Sequence, residues 1–540
     1  MRLTPRELGP DQRPPHPCRP PGRRAGSANV ARAAFASCRL RVIVGLLGVL
    51  ALWKALVSGN LAMTAKMKET LDRWFELSAR GSTWRREILA GLTTFMTMAY
   101  IIVVQPSVLS GRMFGQNTGM DFGAVMAATC VASALATVLM ALYGRYPIAQ
   151  APGMGQNFFF VLTVIPVAAA TGAGEPWRVA LGVVFWSGVL FLVLSLAGLR
   201  ELIFHAISPS LKHGLTAGIG LFIAFIGLQN AGLIEKDPGT AVKLTAHLAS
   251  PDVLIFLAGL WFTSVLAARQ VPGAILWGMA LGTLLAWATH ALLPHLPAAW
   301  RESPALAGSL LATQFEPATR VVSAPPSLAP TWCQLDWQAA LAPALLPMIG
   351  VLLFMFVFDA IGTLIAVCEQ AGLMQDNRLP RARQAMISDA VGTVAGALLG
   401  TSTVTSYVES AAGVAQGGRT GLVGLVVAAL FLAALVFEPL VAMVGSYPPI
   451  TAPALVFVGA LMLRQVGRVS WDDPTEAIPA FLMVLGIPLS YSIADGLALG
   501  LVTHPVLKLL SGRGREVGAL SYLLAVLLLA YLILLRGRLG

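Results

Sequence analysis

Apolar runs of about 20 residues recur along most of this chain, separated by short polar or glycine- and proline-containing stretches. An α-helix needs about 20 apolar residues to cross a bilayer, whereas a barrel strand needs about ten with alternating polarity. The pattern therefore predicts an all-α polytopic membrane protein rather than a barrel.

Fourteen segments can be placed from hydropathy, seven on each side of a loop at about 294–339 that is rich in Pro, Ala and Ser. The predicted segments are 88–110, 120–143, 147–170, 176–199, 211–230, 252–268, 272–293, 340–368, 383–400, 403–418, 420–437, 451–464, 476–510 and 517–535. The stretch 476–510 is too long for one straight span, and its Pro488 predicts a break. Because each half has an odd number of segments, a repeat would be inverted. We therefore expect a first repeat over 83–293, an external linker loop over 294–339 and a second repeat over 340–535.

Residues 1–62 differ in character from the rest. The first 24 are rich in Pro and Arg and cannot build a core, and the run 42–53 resembles the apolar part of a signal peptide. We expect a disordered extension, translated from a start codon placed too early. The alternative is that the apolar run 42–53 is an extra membrane anchor.

Composition agrees with the membrane class. The 540 residues are 56% hydrophobic and only 12% charged, against about 25% charged in globular proteins. The net charge of +11 reflects membrane topology, so nucleic acid is not an expected partner and membrane lipid is. The five Cys show no metal-binding spacing, and no cofactor or metal is expected.

Positive charge also predicts orientation. With residues 60–87 in the cytoplasm, most Lys and Arg, including Arg468, fall on the cytoplasmic side, and both termini lie inside. The cluster of Lys508, Arg513 and Arg515 is the exception, because this count of segments places it outside. The predicted location is a bacterial inner membrane.

Two carboxylates lie inside these apolar segments, Asp359 and Glu409. A charge at the bilayer centre costs about 2.5–3.5 kcal/mol, so such residues usually face a cavity and have a function. The alternative is that both only hold helices together. Glu409 follows a β-favouring run, Thr403 to Val408, which is unusual for a membrane helix.

The third segment of each half is irregular, over 147–160 and 402–415. Non-helical backbone at membrane depth persists only where it is buried or lines a cavity. Matching broken segments in both halves of a transporter indicate its binding site. A half-helix that starts near Glu409 would place this carboxylate at the positive end of the helix dipole.

At these residues the chain resembles a known family. The matching stretches are AGLTTFMTMAYIIVVQPSVL (90–109), YPIAQAPGMGQNFFF (146–160), FDAIGTLIAV (358–367), SDAVGTVAGALLGTSTVTSYVESAAGVAQGGRTGL (388–422) and IPAFLMVLGIPLSYSIADGLALG (478–500). They resemble the AzgA-like purine permeases for adenine, guanine and hypoxanthine, within the nucleobase–cation symporter-2 (xanthine/uracil permease) family.

The resemblance implies fourteen transmembrane segments in a 7+7 inverted repeat, with short strands in segments 3 and 10. Segments 1–4 and 8–11 form a core domain, and segments 5–7 and 12–14 form a gate domain. It also implies that Asp359, Glu409, Asn157 and Gly155 contact the substrate. Asp389 is expected to order the core near Glu409, and with Asp359 it is a candidate for the coupled proton.

The chemistry of a purine fits these residues. Its edge presents N–H donors beside ring-nitrogen or carbonyl acceptors, so a carboxylate accepts from it and Asn157 both donates and accepts. Gly155 allows a flat ring to approach the backbone. We expect proton-coupled purine uptake by alternating access; a homodimer is one oligomeric state left open.

Two other functions compete with this interpretation. An anion transporter of the sulfate or bicarbonate type shares this architecture, but Glu409 at a half-helix end opposes an anion. An intramembrane enzyme lacks its motifs here, because the chain has no HExxH, GxSxG or GxGD sequence. The chain is therefore predicted not to be an enzyme.

Overall fold

The structure is a computed structural model. It describes residue 69 and residues 72–533, apart from 173, 199–207, 296, 298–302, 304, 305, 307, 375–378 and 531. The predicted extension 1–62 lies outside the described residues. The helices of the first half are α1 (Trp84–Met98), α2 (Ile101–Leu109), α3 (Phe122–Leu139), α4 (Met154–Phe159), α5 (Ile165–Thr171), α6 (Pro176–Ala197), α7 (Pro209–Asn230), α8 (Pro251–Ala268) and α9 (Ala274–Leu292).

A short helix, α10 (Leu310–Thr313), lies in the central loop. The helices of the second half are α11 (Leu346–Gln370), α12 (Ala382–Leu399), α13 (Ser410–Ala415), α14 (Leu422–Ala434), α15 (Glu438–Ser446), α16 (Pro448–Leu463), α17 (Pro474–Ser490), α18 (Ile493–Leu510) and α19 (Ala519–Ala530). The strands are β1 (Gln150–Pro152), β2 (Ile234–Asp237), β3 (Ala241–Leu244) and β4 (Val404–Ser406).

Within the described residues, eleven helical stretches are long and apolar enough to cross a membrane. Two of them, α7 and α8, begin with a capping serine followed by proline. Ser250 accepts a hydrogen bond from the backbone N–H of Val253, and Pro251 occupies the first helical position, where its missing N–H costs nothing. The predicted class, a mainly helical multi-pass membrane protein, is confirmed.

The helices pack in two sets. In one, α12 packs against α6, and α14 packs against α1 and α3. In the other, α7 packs against α16 and α17, and α8 packs against α9 and α16. The crossing of α7 and α16 is close because glycine faces glycine: a Cβ at Gly459 would lie 2.8 Å from the Cβ of Ala224, and a Cβ at Gly220 would lie 2.5 Å from that of Met462.

The stretch predicted as one long segment, 476–510, is two helices. The chain reverses at Tyr491, which has a left-handed backbone with φ 54°, and α17 and α18 pack side by side. Arg513, after α18, therefore reaches Asp473, before α17, at 2.8 Å. Arg513 and then Lys508 hold the pKa of the Glu516 carboxyl at about 2.

This hairpin corrects the predicted side of the last basic cluster. Lys508 and Arg513 lie at the end of α17 that follows Arg468, rather than at the opposite end. Arg468 is one of the residues that positive charge assigns to the cytoplasmic side. With 476–510 as two crossings, the basic cluster falls on the same side as Arg468 and agrees with the charge rule.

The central loop is anchored in both halves of the chain. The hydroxyl of Thr331 donates to the carbonyl oxygen of Leu399 at 2.9 Å. The N–H of Leu310 donates to the Asp252 carboxylate at 2.8 Å, and the Tyr447 hydroxyl donates to the same carboxylate at 2.6 Å. The loop thus crosses over one end of the helices rather than extending away from them.

Candidate functional site

The two irregular segments meet as a pair of antiparallel strands. In β1 and β4, Ala151 lies opposite Thr405. The backbone N–H of Gly153 also donates to the carbonyl oxygen of Thr403 at 3.0 Å. The β-branched residues of β4 favour the extended backbone, and each strand satisfies the polar backbone groups of the other inside an apolar environment. After the strands, the chain enters α4 on one side and α13 on the other.

Glu409 occupies the residue before α13. It is only partly buried, and its Oε1 accepts a hydrogen bond from the hydroxyl of Tyr100 at 2.9 Å. The hydroxyl of Thr97 donates to the carbonyl oxygen of Thr94 at 2.7 Å and lies 3.4 Å from the backbone carbonyl oxygen of Glu409. The join of α1 and α2 therefore lies against both the backbone and the carboxylate of Glu409.

Asp359 lies in the middle of the continuous helix α11 and is also partly buried. Its Oδ2 accepts a hydrogen bond from the side-chain amide of Gln156 at 3.3 Å. The carboxylates of Asp359 and Glu409 are near enough to interact electrostatically. The structure thus brings together two carboxylates that are 50 residues apart in sequence, and each of them has a neutral hydrogen-bond donor.

Asn157 follows Gln156 in α4 and is fully buried. Its amide nitrogen donates to the side-chain oxygen of Gln105, and its amide oxygen accepts from the hydroxyl of Ser402. Gln105 in turn donates to the hydroxyl of Thr401 at 2.9 Å. The nitrogen and the oxygen of the Asn157 amide both have hydrogen-bond partners within the protein. Asn157 thereby connects α4 to Gln105 of α2 and to Ser402, just before β4.

Gly155 lies where α4 meets α7. A Cβ added to this residue would lie 2.8 Å from Cγ2 of Ile219. The missing side chain therefore permits close packing of these two helices in this structure.

Asp389 lies on α12 behind the strands and is fully buried. It accepts hydrogen bonds from the hydroxyl of Ser406, at 2.9 Å to Oδ1, and from the amide of Gln150. Gln150 and Ser406 are directly paired across β1 and β4. Asp389 thus bridges the two strands, and it is close enough to Asp359 to interact electrostatically.

The aromatic residues near the crossing differ in exposure. Phe158, Phe159 and Phe160 are fully buried, and Phe158 packs edge-on against Phe222 with a centroid separation of 6.1 Å. Phe358 is only half-buried, and the Lys212 ammonium lies 5.2 Å from its ring centroid. Among these phenylalanines, Phe358 alone is not fully buried, and its ring also stacks on that of Phe354.

Sequence reasoning missed four residues of this site. They are polar side chains that meet the predicted residues: Tyr100, Gln105, Gln156 and Ser402. The available signal was a polar side chain within an apolar run, as for Gln105 in IIVVQPSVL. Within the described part of the chain, no group of three or more His, Cys, Asp or Glu is arranged to hold a metal ion.

Comparison with known proteins gives the following matches. A family model described as "Permease family" matches residues 85–498. The chain is 40% identical to the guanine/hypoxanthine permease PbuO of Bacillus subtilis, over 85% of this chain and 100% of that protein. It is 36% identical to the adenine permease AdeP of Escherichia coli, over 87% of this chain and 97% of that protein.

Solved structures of similar fold include the transmembrane domain of the cyanobacterial bicarbonate transporter BicA. The TM-score is 0.53 at 15% sequence identity, over 77% of this chain and 97% of that domain. At this identity the likeness concerns the fold alone.

Proposed function

This chain belongs to the Permease family, and from that membership and its site we propose that it takes up purine nucleobases: hypoxanthine, guanine or adenine. The family membership confirms the resemblance seen in the sequence, and it makes the chain a transporter rather than an enzyme. The observation that carries the purine assignment is the pair of partly buried carboxylates, Asp359 and Glu409, beside the crossed strands. Relatives named as guanine/hypoxanthine and adenine permeases support it.

In the proposed mechanism, Glu409 accepts hydrogen bonds from the N–H groups of the base and Phe358 covers one face of the ring. Neutral donors, Tyr100 and Gln156, lie against the two carboxylates. Hydrogen bonds from a ligand N–H to a carboxylate are stronger than those between neutral groups. Asn157 and Gly155 contribute by holding the strand and helix that form one wall of the site.

Uptake is coupled to protons in this proposal. Asp359 lies in an apolar helix, where an ionised carboxylate loses the hydration it has in water, so proton binding there is coupled to occupancy of the site. Asp389, on α12 behind the strands, is the second candidate for this proton. The inward proton gradient then drives accumulation of the base.

The proposed transport cycle is alternating access by two domains. The core consists of segments 1–4 and 8–11, and the gate of segments 5–7 and 12–14, in a fourteen-segment inverted repeat. The packing of α7 with α16 and α17, and of α12 with α6, supports this division. Counting α17 and α18 as segments 13 and 14 gives fourteen segments, and α19, predicted from hydropathy as the fourteenth, then follows the repeat. We place the protein in the bacterial cytoplasmic membrane with its N-terminus inside.

The test is uptake by proteoliposomes that contain the full chain. We expect labelled hypoxanthine to accumulate when the outside is acidic, and a protonophore to abolish accumulation. Unlabelled guanine and adenine, added in competition, rank the purines. Uptake of labelled sulfate or bicarbonate without purine uptake contradicts the proposal and favours the anion transporter. Purine uptake that follows a sodium gradient at fixed pH contradicts only the proton coupling.

A further inference from the structure

We propose that Tyr100 is a positioning residue of the purine site, which orients the carboxylate of Glu409 so that both of its oxygens lie in the plane of a bound base. This inference rests on the proposed function, because it concerns how that site distinguishes one purine from another. Tyr100 lies on the first helical span, far in sequence from both carboxylates and both broken segments.

The location of Tyr100 follows from a local change in the helix. α1 ends at Met98 and α2 begins at Ile101. At this join the carbonyl oxygen of Tyr100 accepts from the N–H groups of both Val103, at 3.1 Å, and Val104, at 3.0 Å, so the turn is intermediate between a 3₁₀ and an α-helical one. The Tyr100 side chain is 1% exposed and donates to Oε1 of Glu409 at 2.9 Å.

The backbone of Glu409 also lies against α1. The Thr97 hydroxyl, one turn before Tyr100, is 3.4 Å from the backbone carbonyl oxygen of the same glutamate. The α13 helix that follows packs directly on α1, since a Cβ at Gly413 would lie 2.6 Å from the carbonyl oxygen of Ala90. The backbone of Glu409 is thus held by packing. The Tyr100 hydroxyl contacts the carboxylate group, which can still rotate about the terminal torsion of the side chain.

That rotation determines which base fits. The terminal torsion of a glutamate is broad, so a carboxylate without a donor samples many orientations. Guanine presents two adjacent N–H donors, at N1 and at its 2-amino group, in the plane of the ring. It requires both oxygens to lie in that plane. On the same edge hypoxanthine presents one N–H donor, at N1, and requires only one carboxylate oxygen in the plane. A fixed carboxylate therefore favours guanine over hypoxanthine.

The test is Tyr100→Phe, which removes the hydroxyl and keeps the ring. Equilibrium binding and transport of labelled guanine and hypoxanthine are measured with the full chain in proteoliposomes. We expect the Kd for guanine to rise about tenfold or more, the range for loss of one hydrogen bond to a charged group, and the Kd for hypoxanthine to rise clearly less. The maximal transport rate at saturating guanine should stay within about twofold of wild type.

A matched variant controls for loss of a tyrosine hydroxyl. Tyr146→Phe removes a hydroxyl that accepts a hydrogen bond from the N–H of Arg381 at 3.1 Å, outside the site. It should keep the wild-type ratio of guanine to hypoxanthine affinity.

The outcomes separate the possible explanations. Equal losses for both bases in Tyr100→Phe, or an unchanged Kd for both, would overturn the positioning role. A variant with lower thermal stability and a lower maximal rate but unchanged guanine preference would also overturn it, in favour of a structural role. Failure of the wild-type chain to bind either base would instead contradict the proposed function itself.

Discussion

At the scale of single residues, the two carboxylates of the site have different environments. Glu409 precedes α13 and accepts from the Tyr100 hydroxyl at 2.9 Å, whereas Asp359 lies within a continuous helix and accepts from Gln156 at 3.3 Å. We expect Glu409→Gln to lose purine binding by at least about tenfold, because an amide replaces one acceptor oxygen with donors that face the donors of the base. Asp359→Asn should still bind and exchange purine but should not accumulate it against a gradient.

Three assays distinguish these outcomes: equilibrium binding, exchange of labelled for unlabelled base, and net accumulation driven by a proton gradient. Binding retained in Glu409→Gln and lost in Asp359→Asn would mean that the two roles are reversed. Normal accumulation by both variants would mean that the carboxylates are structural, which is the alternative that the sequence left open.

At the scale of elements, close helix crossings depend on glycine. Gly459 of α16 faces α7, where an added Cβ would lie 2.8 Å from the Cβ of Ala224. We expect Gly459→Ala to destabilise the protein by about 1–3 kcal/mol, the usual cost of overpacking, and to lower its thermal transition in detergent. The matched control is Gly350→Ala in α11, where an added Cβ meets nothing within 4 Å. Equal stability of the two variants would contradict the prediction, because it would mean that α7 and α16 move apart to admit the extra methyl group at little cost.

At the scale of the whole molecule, the α17–α18 hairpin determines which loops share a side of the membrane. Arg513 contacts Asp473, so the loop after α18 lies with the loop that follows Arg468. Cys333 is exposed beside the far end of α12, where its N–H donates to the carbonyl oxygen of Leu398 at 2.7 Å. We expect cysteines at Arg468→Cys and Arg515→Cys to react from one side and Cys333 from the other.

The measurement uses a membrane-impermeant thiol reagent on intact cells and on inverted vesicles, with the remaining cysteines replaced by serine. Arg468→Cys serves as the reference for the side that carries most of the positive charge. Labelling of Arg515→Cys from the same side as Cys333 would contradict the hairpin and restore a single long crossing over 476–510.

The parts of this protein that could be predicted from sequence are those with a local signal. A run of about 20 apolar residues indicates a helix that crosses a membrane, because lipid cannot satisfy polar backbone groups. Asp359 and Glu409 were evident because a carboxylate in such a run is costly, and the β-favouring residues before Glu409 marked the broken segment. The segment count disagrees with the charge rule only for Lys508, Arg513 and Arg515. The reason is that the chain reverses at Tyr491, inside what hydropathy alone indicates as one long apolar stretch.

The sequence by itself determined the membrane class, the family and the two carboxylates, since each depends on residues that are neighbours in the chain. Tertiary structure alone decided what those carboxylates meet. The Tyr100–Glu409 hydrogen bond joins residues 309 positions apart, and the Gln105–Thr401 bond joins residues 296 apart. No periodicity in either segment encodes such a pair. It exists because packing of α1, α4 and α13 around the crossed strands brings these polar groups together, where each needs a hydrogen-bond partner inside the protein.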